Sequence, residues 1–170
     1  MLSEAFLGLG SNLGDRVANL EAGVRLLEEQ AGEVEVSSMY ATTAVGFTTQ
    51  PAFYNAVCRL WTRLTVFELM HEIRVIERAI NRQPTFVNAP RTLDIDILLY
   101  GNRGLCTPPV TVPHPRMAER RFVLQPLVEL APNPIHPTLG VTMRELLNRL
   151  PAEPTQVVAQ ARAWGRTASP

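Results

Sequence analysis

Two aspartates, Asp94 and Asp96, stand two residues apart in "PRTLDIDILLYG", inside a run that otherwise reads as a buried β-strand. Strand side chains alternate, which predicts Leu93, Ile95, Ile97 and Leu99 on one side and Asp94, Asp96, Leu98 and Tyr100 on the other. Two carboxylates about 7 Å apart, at an effective dielectric of about 20, repel by about 2 kcal/mol before any desolvation, so a cation is expected opposite them. A solvated face would tolerate the pair but would not continue with Leu98 and Tyr100. Mg²⁺ suits these donors: it takes hard oxygen ligands, keeps several waters, and binds through one or two carboxylates together with substrate phosphates. Arg91, three residues before the pair, brings a guanidinium to the same strand mouth.

A second cluster is "HPRMAERRF". Pro115 is expected to open a short helix that sets Arg116 and Arg120 at i and i+4, with His114 near the N-terminal end where anions are favoured. "GLGSNLG" follows a strand and opens a helix, yet its glycines at 8, 10 and 14 are spaced one residue too long for a dinucleotide fingerprint. It reads as a tight strand-to-helix connection whose backbone could approach a ligand. Taken singly, each motif reads more readily as structural: a surface turn with ordinary salt bridges, a tight connection, a chance DxD. Together they point to nucleotide phosphate chemistry.

Composition narrows the means. The chain has 170 residues, 46% of them apolar and 19% charged, with a formal net charge of zero, which fits one domain and gives no global basic field for nucleic acid. All sixteen cations are arginine. A Walker-type phosphate loop and a Schiff-base lysine are therefore excluded, although composition bias accounts equally well for arginine-only usage. Cys58 and Cys106 show no zinc-ligand or redox spacing. Glu4 beside a short apolar run argues against a signal peptide or membrane span, so the cytoplasm is the expected compartment.

The elements that must position these groups follow from periodicity. "EAFLGLGSN" predicts a strand leading into a glycine turn; Val17, Leu20, Val24 and Leu27 predict a helix from Asp15 to Gly32. "EVEVSSMYA" and "FYNAVCRLWTR" predict two strands that pair antiparallel. Thr65 and Glu68 form a capping box for a helix with an apolar stripe of Val66, Leu69, Met70, Ile73, Ile76 and Ile80. The aspartate strand follows, then a proline-rich region and a capped helix from Thr142 to Leu150. The order β-α-β-β-α-β predicts an α+β class, ferredoxin-like sandwich with a mainly antiparallel sheet and C-terminal additions, as one domain over 1–170. The segment 156–170 carries no clear pattern.

The blocks "GLGSNLGDR", "QPAFYNAV", "PRTLDIDILLYG" and "VPHPRMAERRFVLQPL", in this order over about residues 5–147, resemble the 6-hydroxymethyl-7,8-dihydropterin pyrophosphokinase family of folate biosynthesis. The resemblance implies transfer of the β,γ-diphosphate of ATP to the pterin's hydroxymethyl oxygen, with AMP released. It implies Asp94 and Asp96 as ligands of two Mg²⁺ ions, Arg82 and Arg91 on the transferring phosphates, and His114 and Arg120 as further phosphate contacts. Met70, Arg74, Glu77, Ile97 and Thr111 fall around the adenosine, with Arg74 where a glutamine is expected. Thr42, Thr43, Val45, Phe53, Asn55 and Phe122 match the pterin pocket, where Asn55 can donate and accept at the ring's amide edge and Phe122 can stack.

The chain departs from the family after Arg82, with Pro84 in place of a second arginine and Asn88, Ala89 and Pro90 where a Trp-Gly precedes the Pro-Arg. The lid over 83–89 is altered. Pro115 replaces a frequent tyrosine and Pro109 an occasional arginine. The implied partners are ATP and the pterin, with no nucleic acid or membrane, together with contact with neighbouring folate-pathway enzymes. An alternative class is a catalytically weakened pterin or nucleotide-binding module. A ferredoxin-like RNA binder fits less well, for lack of a basic aromatic strand motif.

Overall fold

The computed structural model describes residues 1–42, 51–81, 92–152, 156–160 and 164. Strand β1 (Ser3–Ser11) leads into helix α1 (Arg16–Gln30), whose N-cap Asp15 accepts from the Ala18 amide at 3.1 Å. Strand β2 (Gly32–Val36) follows at once. Gly32 makes this possible: its φ is +144°, and a Cβ there would collide with the Trp61 carbonyl oxygen. Strands β3 (Met39–Thr42) and β4 (Phe53–Thr62) precede helix α2 (Val66–Ile80), which starts with the expected Thr65/Glu68 capping box. Then come β5 (Asp94–Tyr100), the small hairpin β6 (Leu105–Thr107) and β7 (Val110–Val112), a 3-10 turn (Met117–Glu119), and α3 (Arg121–Leu130). Helix α4 (Met143–Arg149) carries its own capping box on Thr142 and Glu145, and β8 (Gln156–Ala159) closes the order.

The main sheet runs β5-β1-β4-β3-β8, with β2 also paired to β4, and every pairing is antiparallel. The result is a mixed α and β fold. Helices α1 and α2 cover one face over a core of Leu7, Leu9, Leu20, Leu27, Leu69 and Ile73 among others. Helices α3 and α4 cover part of the other, over Phe6, Val57, Leu98, Leu124, Leu127 and Met143. Burying one such Leu side chain contributes about 1.5 to 3 kcal/mol, so each layer holds its helices by packing.

Four expectations are corrected. "EVEVSSMYA" is two strands, because buried Ser37 and Ser38 interrupt it: the Ser37 hydroxyl donates to the Ser38 carbonyl and accepts from the Val57 amide. The register on β1 shifts between Phe6 and Leu7, so Leu98 and Leu99 together oppose a single step of β1. Leu99 therefore joins Leu98 under α3, and Tyr100 turns to the face of Ile95 and Ile97. Gly8 and Gly10 lie within β1, leaving only Gly14, at φ +62°, in the turn. Pro115 opens no helix; Arg116 and Arg120 flank the 3-10 turn instead, and Arg116 pairs with Glu119 at 3.8 Å. The segment beyond Gln156 also gains a role, since β8 pairs with β3 and Trp164 is buried in the α1/α2 core.

Candidate active site

The period-2 alternation of four adjacent strands gathers the site on the face that α3 covers only in part. Asp94 stands opposite Gly10, and Gly10 opposite Asn55, which in turn pairs with Tyr40. Asp96 stands opposite Gly8, and Gly8 opposite Val57. Cross-strand partners share a face, so both carboxylates, the Asn55 amide and the two glycines lie on one surface. The glycines form a floor without side chains between the carboxylates on β5 and the amide on β4. A Cβ on Gly10 would stand 3.3 Å from Asn55 Oδ1, and one on Gly8 would meet Leu98 at 3.4 Å.

Asn55 is buried, and its Nδ2 donates to Thr42 Oγ1 at 2.8 Å. That bond fixes which way the amide faces, with Oδ1 toward Gly10. Phe53, opposite Thr42, completes this end of the row. Phe122, one residue into α3, packs on the cluster that contains Val57, and Arg120 lies over its ring at 5.7 Å.

His114 faces the carboxylates from the loop after β7. Its backbone amide donates to the Leu98 carbonyl at 2.9 Å, and Nδ1 accepts from the Arg116 amide at 3.2 Å. The ring proton then belongs on Nε2, 3.8 Å from Asp96 Oδ2. Burial holds the His114 pKa below its ordinary value; Asp96 pulls upward, while Arg120 and Arg116 add to the lowering. With its pKa below the ordinary value the ring is mainly neutral at pH 7, and at 3.8 Å it stands near Asp96 without a hydrogen bond to it.

Of the adenosine candidates, Glu77 meets the outer edge of β5. Glu77 Oε1 accepts from the Ile95 amide at 2.9 Å, an edge N–H with no strand beside it among the described residues. The ladder's alternation turns the Ile97 peptide groups outward too, whereas its side chain is buried in the α1/α2 core. Met70 packs against that core, and Arg74 and Thr111 are exposed on α2 and β7. The structure thus brings Thr42, Phe53 and Asn55 together at the β3/β4 end, puts Arg120 over Phe122 and His114 near Asp96, and sets Glu77 against the edge of β5, while Met70 and Arg74 stand on α2, Ile97 on β5 and Thr111 on β7. Thr43, Val45, Arg82, Arg91 and the 83–89 lid lie outside the described residues.

Sequence reasoning missed Gly8 and Gly10 as floor residues. Glycine at alternate positions of a strand is itself a signal of close approach on one face. It also missed Arg16, whose guanidinium donates to the Ala52 carbonyl at 2.7 Å and lies over the Tyr54 ring at 4.1 Å, holding the start of β4 to α1.

Comparison with known proteins places the chain. Residues 6–132 match the family profile "7,8-dihydro-6-hydroxymethylpterin-pyrophosphokinase (HPPK)". A 2-amino-4-hydroxy-6-hydroxymethyldihydropteridine pyrophosphokinase of Aquifex aeolicus is 38% identical over 85% of the chain and 90% of its own length. The Bacillus subtilis protein of the same name is 42% identical over 74% and 77%. Against the longer folic acid synthesis protein FOL1 of Dictyostelium discoideum, 40% identical, the chain spans 22% of that protein's length. It spans similarly small shares, 21% and 20%, of the folic acid synthesis proteins fol1 of Schizosaccharomyces pombe and Pneumocystis carinii. The fold resembles the Plasmodium falciparum HPPK-DHPS crystal structure with pteroate, at TM-score 0.73 and 17% identity over 88% of the chain and 42% of that one.

Proposed function

The chain belongs to the 7,8-dihydro-6-hydroxymethylpterin pyrophosphokinase family, and from that premise we propose that it transfers the β,γ-diphosphate of ATP to 6-hydroxymethyl-7,8-dihydropterin in folate biosynthesis. The observation that carries the reading is the shared face: two carboxylates and a fixed amide stand on either side of a glycine floor. That spacing lets a flat heterocycle lie toward Asn55 while a polyphosphate lies toward Asp94 and Asp96.

The donor set fits Mg²⁺. Among the described residues no three His, Cys, Asp or Glu side chains form a metal cage, and Mg²⁺ characteristically completes its shell from one or two carboxylates, waters and substrate phosphates. Asp94 and Asp96 would hold it, as two ions in the family pattern, and when bound it supplies neutralisation of phosphate charge. The protein's own residues do the rest. Asn55 and Thr42 with Phe53 and Phe122 orient the pterin, joined in the family pattern by Thr43 and Val45. Neutral His114 and Arg120 donate to phosphate oxygens from the opposite side, and Arg82 and Arg91 take the transferring phosphates by match to the family motif. Met70, Arg74, Glu77, Thr111 and the Ile97 backbone surround the adenosine at the open edge of β5.

In the step itself the hydroxymethyl oxygen bonds to the β-phosphorus, the bond from that phosphorus to the α–β bridging oxygen breaks, and AMP departs with the electron pair. The hydroxyl proton passes to water or phosphate, for the described residues of the site include no strong general base. Alignment and charge neutralisation suffice for such chemistry.

Three further parts belong to the same reading. Strand order β5-β1-β4 with β2 and β3 beyond supports the ferredoxin-like description. That neither Cys58, buried, nor Cys106, exposed, is in a disulfide supports the cytoplasm. The HPPK-DHPS name of the Plasmodium protein supports contact with a neighbouring folate enzyme. The test of function is AMP formation from Mg-ATP: it should require the pterin, and a chain that binds both substrates but forms no AMP is a binding module instead.

A further inference from the structure

Helix α3 reaches the site at its first turn and the β3 strand near its last. Phe122 and Glu129 are seven residues apart on α3, two turns along one face. The Glu129 carboxylate spans to β3: Oε1 accepts from both the Ser38 amide and the Ser38 hydroxyl at 2.8 Å, and Oε2 accepts from the Tyr40 hydroxyl at 2.7 Å. The Gln160 amide, just past β8, lies 2.9 Å from the same Ser38 Oγ. Tyr40 is the cross-strand partner of Asn55, and Thr42, two residues on, takes the Asn55 amide proton.

We propose that Glu129 is a positioning residue for the pterin pocket, tying α3 to β3 through Ser38 and Tyr40 and so setting the gap between Phe122 and Asn55. The proposal rests on the pterin reading of that pocket. Three charge-assisted hydrogen bonds to one carboxylate are an expensive arrangement for a helix already held by Leu124 and Leu127 in the core. The bonds are directional where the apolar packing is not: leucines permit a helix to slide, but a carboxylate that must reach both Ser38, just before β3, and Tyr40 within it fixes its register. Tyr40 stays a donor throughout, because burial first and Glu129 second push its pKa up to about 12.

The test is steady-state kinetics on the full chain for both substrates, comparing wild type with Tyr40→Phe and Glu129→Ala. Tyr40→Phe keeps the ring and deletes one hydrogen bond, so it stays informative should Glu129→Ala fail to fold. We expect the KM for pterin to rise about five- to tenfold in Tyr40→Phe, with kcat and the KM for ATP changed less than about twofold. In a Phe122→Ala background the Tyr40→Phe change should add nothing, because the network acts through that ring. An unchanged pterin KM in Tyr40→Phe, or an equal loss for both substrates, overturns the proposal. A wild-type chain that forms no AMP overturns the reading on which it rests, and the proposal with it.

Discussion

Asp94 and Asn55 lie on one line across the sheet, joined by Gly10, which is the antiparallel partner of both. One strand therefore separates an acidic, cation-seeking edge from a fixed amide. A single backbone position with no side chain controls what can lie between them, and the first prediction follows from it.

Gly10→Ala places a methyl group 3.3 Å from Asn55 Oδ1. The amide must give by a few tenths of an ångström, yet its Nδ2 is held by Thr42. We expect the KM for pterin to rise about tenfold with little change for ATP. Equal KM changes for the two substrates, measured by AMP formation, would argue against a pterin lying over Gly10.

Asn55→Ala removes the amide itself. On the proposed reading, pterin polar atoms lose their partners without any change to the phosphate groups, and an unpaired buried polar group costs about 1 to 3 kcal/mol. Calorimetry should show pterin affinity reduced roughly ten- to a hundredfold, and unchanged affinity would remove Asn55 from the pocket.

Much of this was legible in the sequence because the relevant signals are local. The Asp94/Asp96 alternation needs only a strand, and both capped helices announce themselves by a threonine followed three residues later by glutamate. The corrections come from partners distant in the chain. The bulge that turns Tyr100 away from Leu98 is set by the register of β1, some ninety residues earlier. Gly8 and Gly10 read as a turn because glycine weakens strand propensity, and only their pairing with β4 and β5 shows them inside the sheet. Strand β8 has no strong pattern of its own and is defined by the β3 edge it covers.

Glu77 has a structural duty that its proposed place near adenosine does not reveal. It satisfies the edge amide of Ile95. Glu77→Ala should lower stability in urea denaturation by about 1 kcal/mol, while Glu77→Gln, which keeps a carbonyl acceptor, should lose less. If both variants match wild type, the Ile95 contact contributes nothing to the fold.

His136 should make the fold acid-sensitive. It is buried, and Nδ1 lies 3.3 and 3.4 Å from the Leu139 and Thr138 backbone nitrogens. Desolvation lowers its pKa, so the unfolded chain takes up a proton first as pH falls through the ordinary value of 6.5. Stability contributed by the neutral ring is full above that pH and declines below it. Denaturant titrations at pH 7.5 and pH 5.5 should show a smaller loss in His136→Gln than in wild type; identical losses would exclude the residue.

The central claim is that Asp94 and Asp96 serve phosphate chemistry rather than the fold. It is tested most directly by the rate of AMP formation from Mg-ATP and 6-hydroxymethyl-7,8-dihydropterin in wild type, Asp94→Asn and Asp96→Asn. Each substitution keeps size and removes a charged oxygen ligand, and relief of mutual repulsion spares the folded state. We predict that each variant melts no lower than wild type by more than a few degrees and loses at least about a hundredfold in rate. Near-normal AMP formation in both variants would contradict the account.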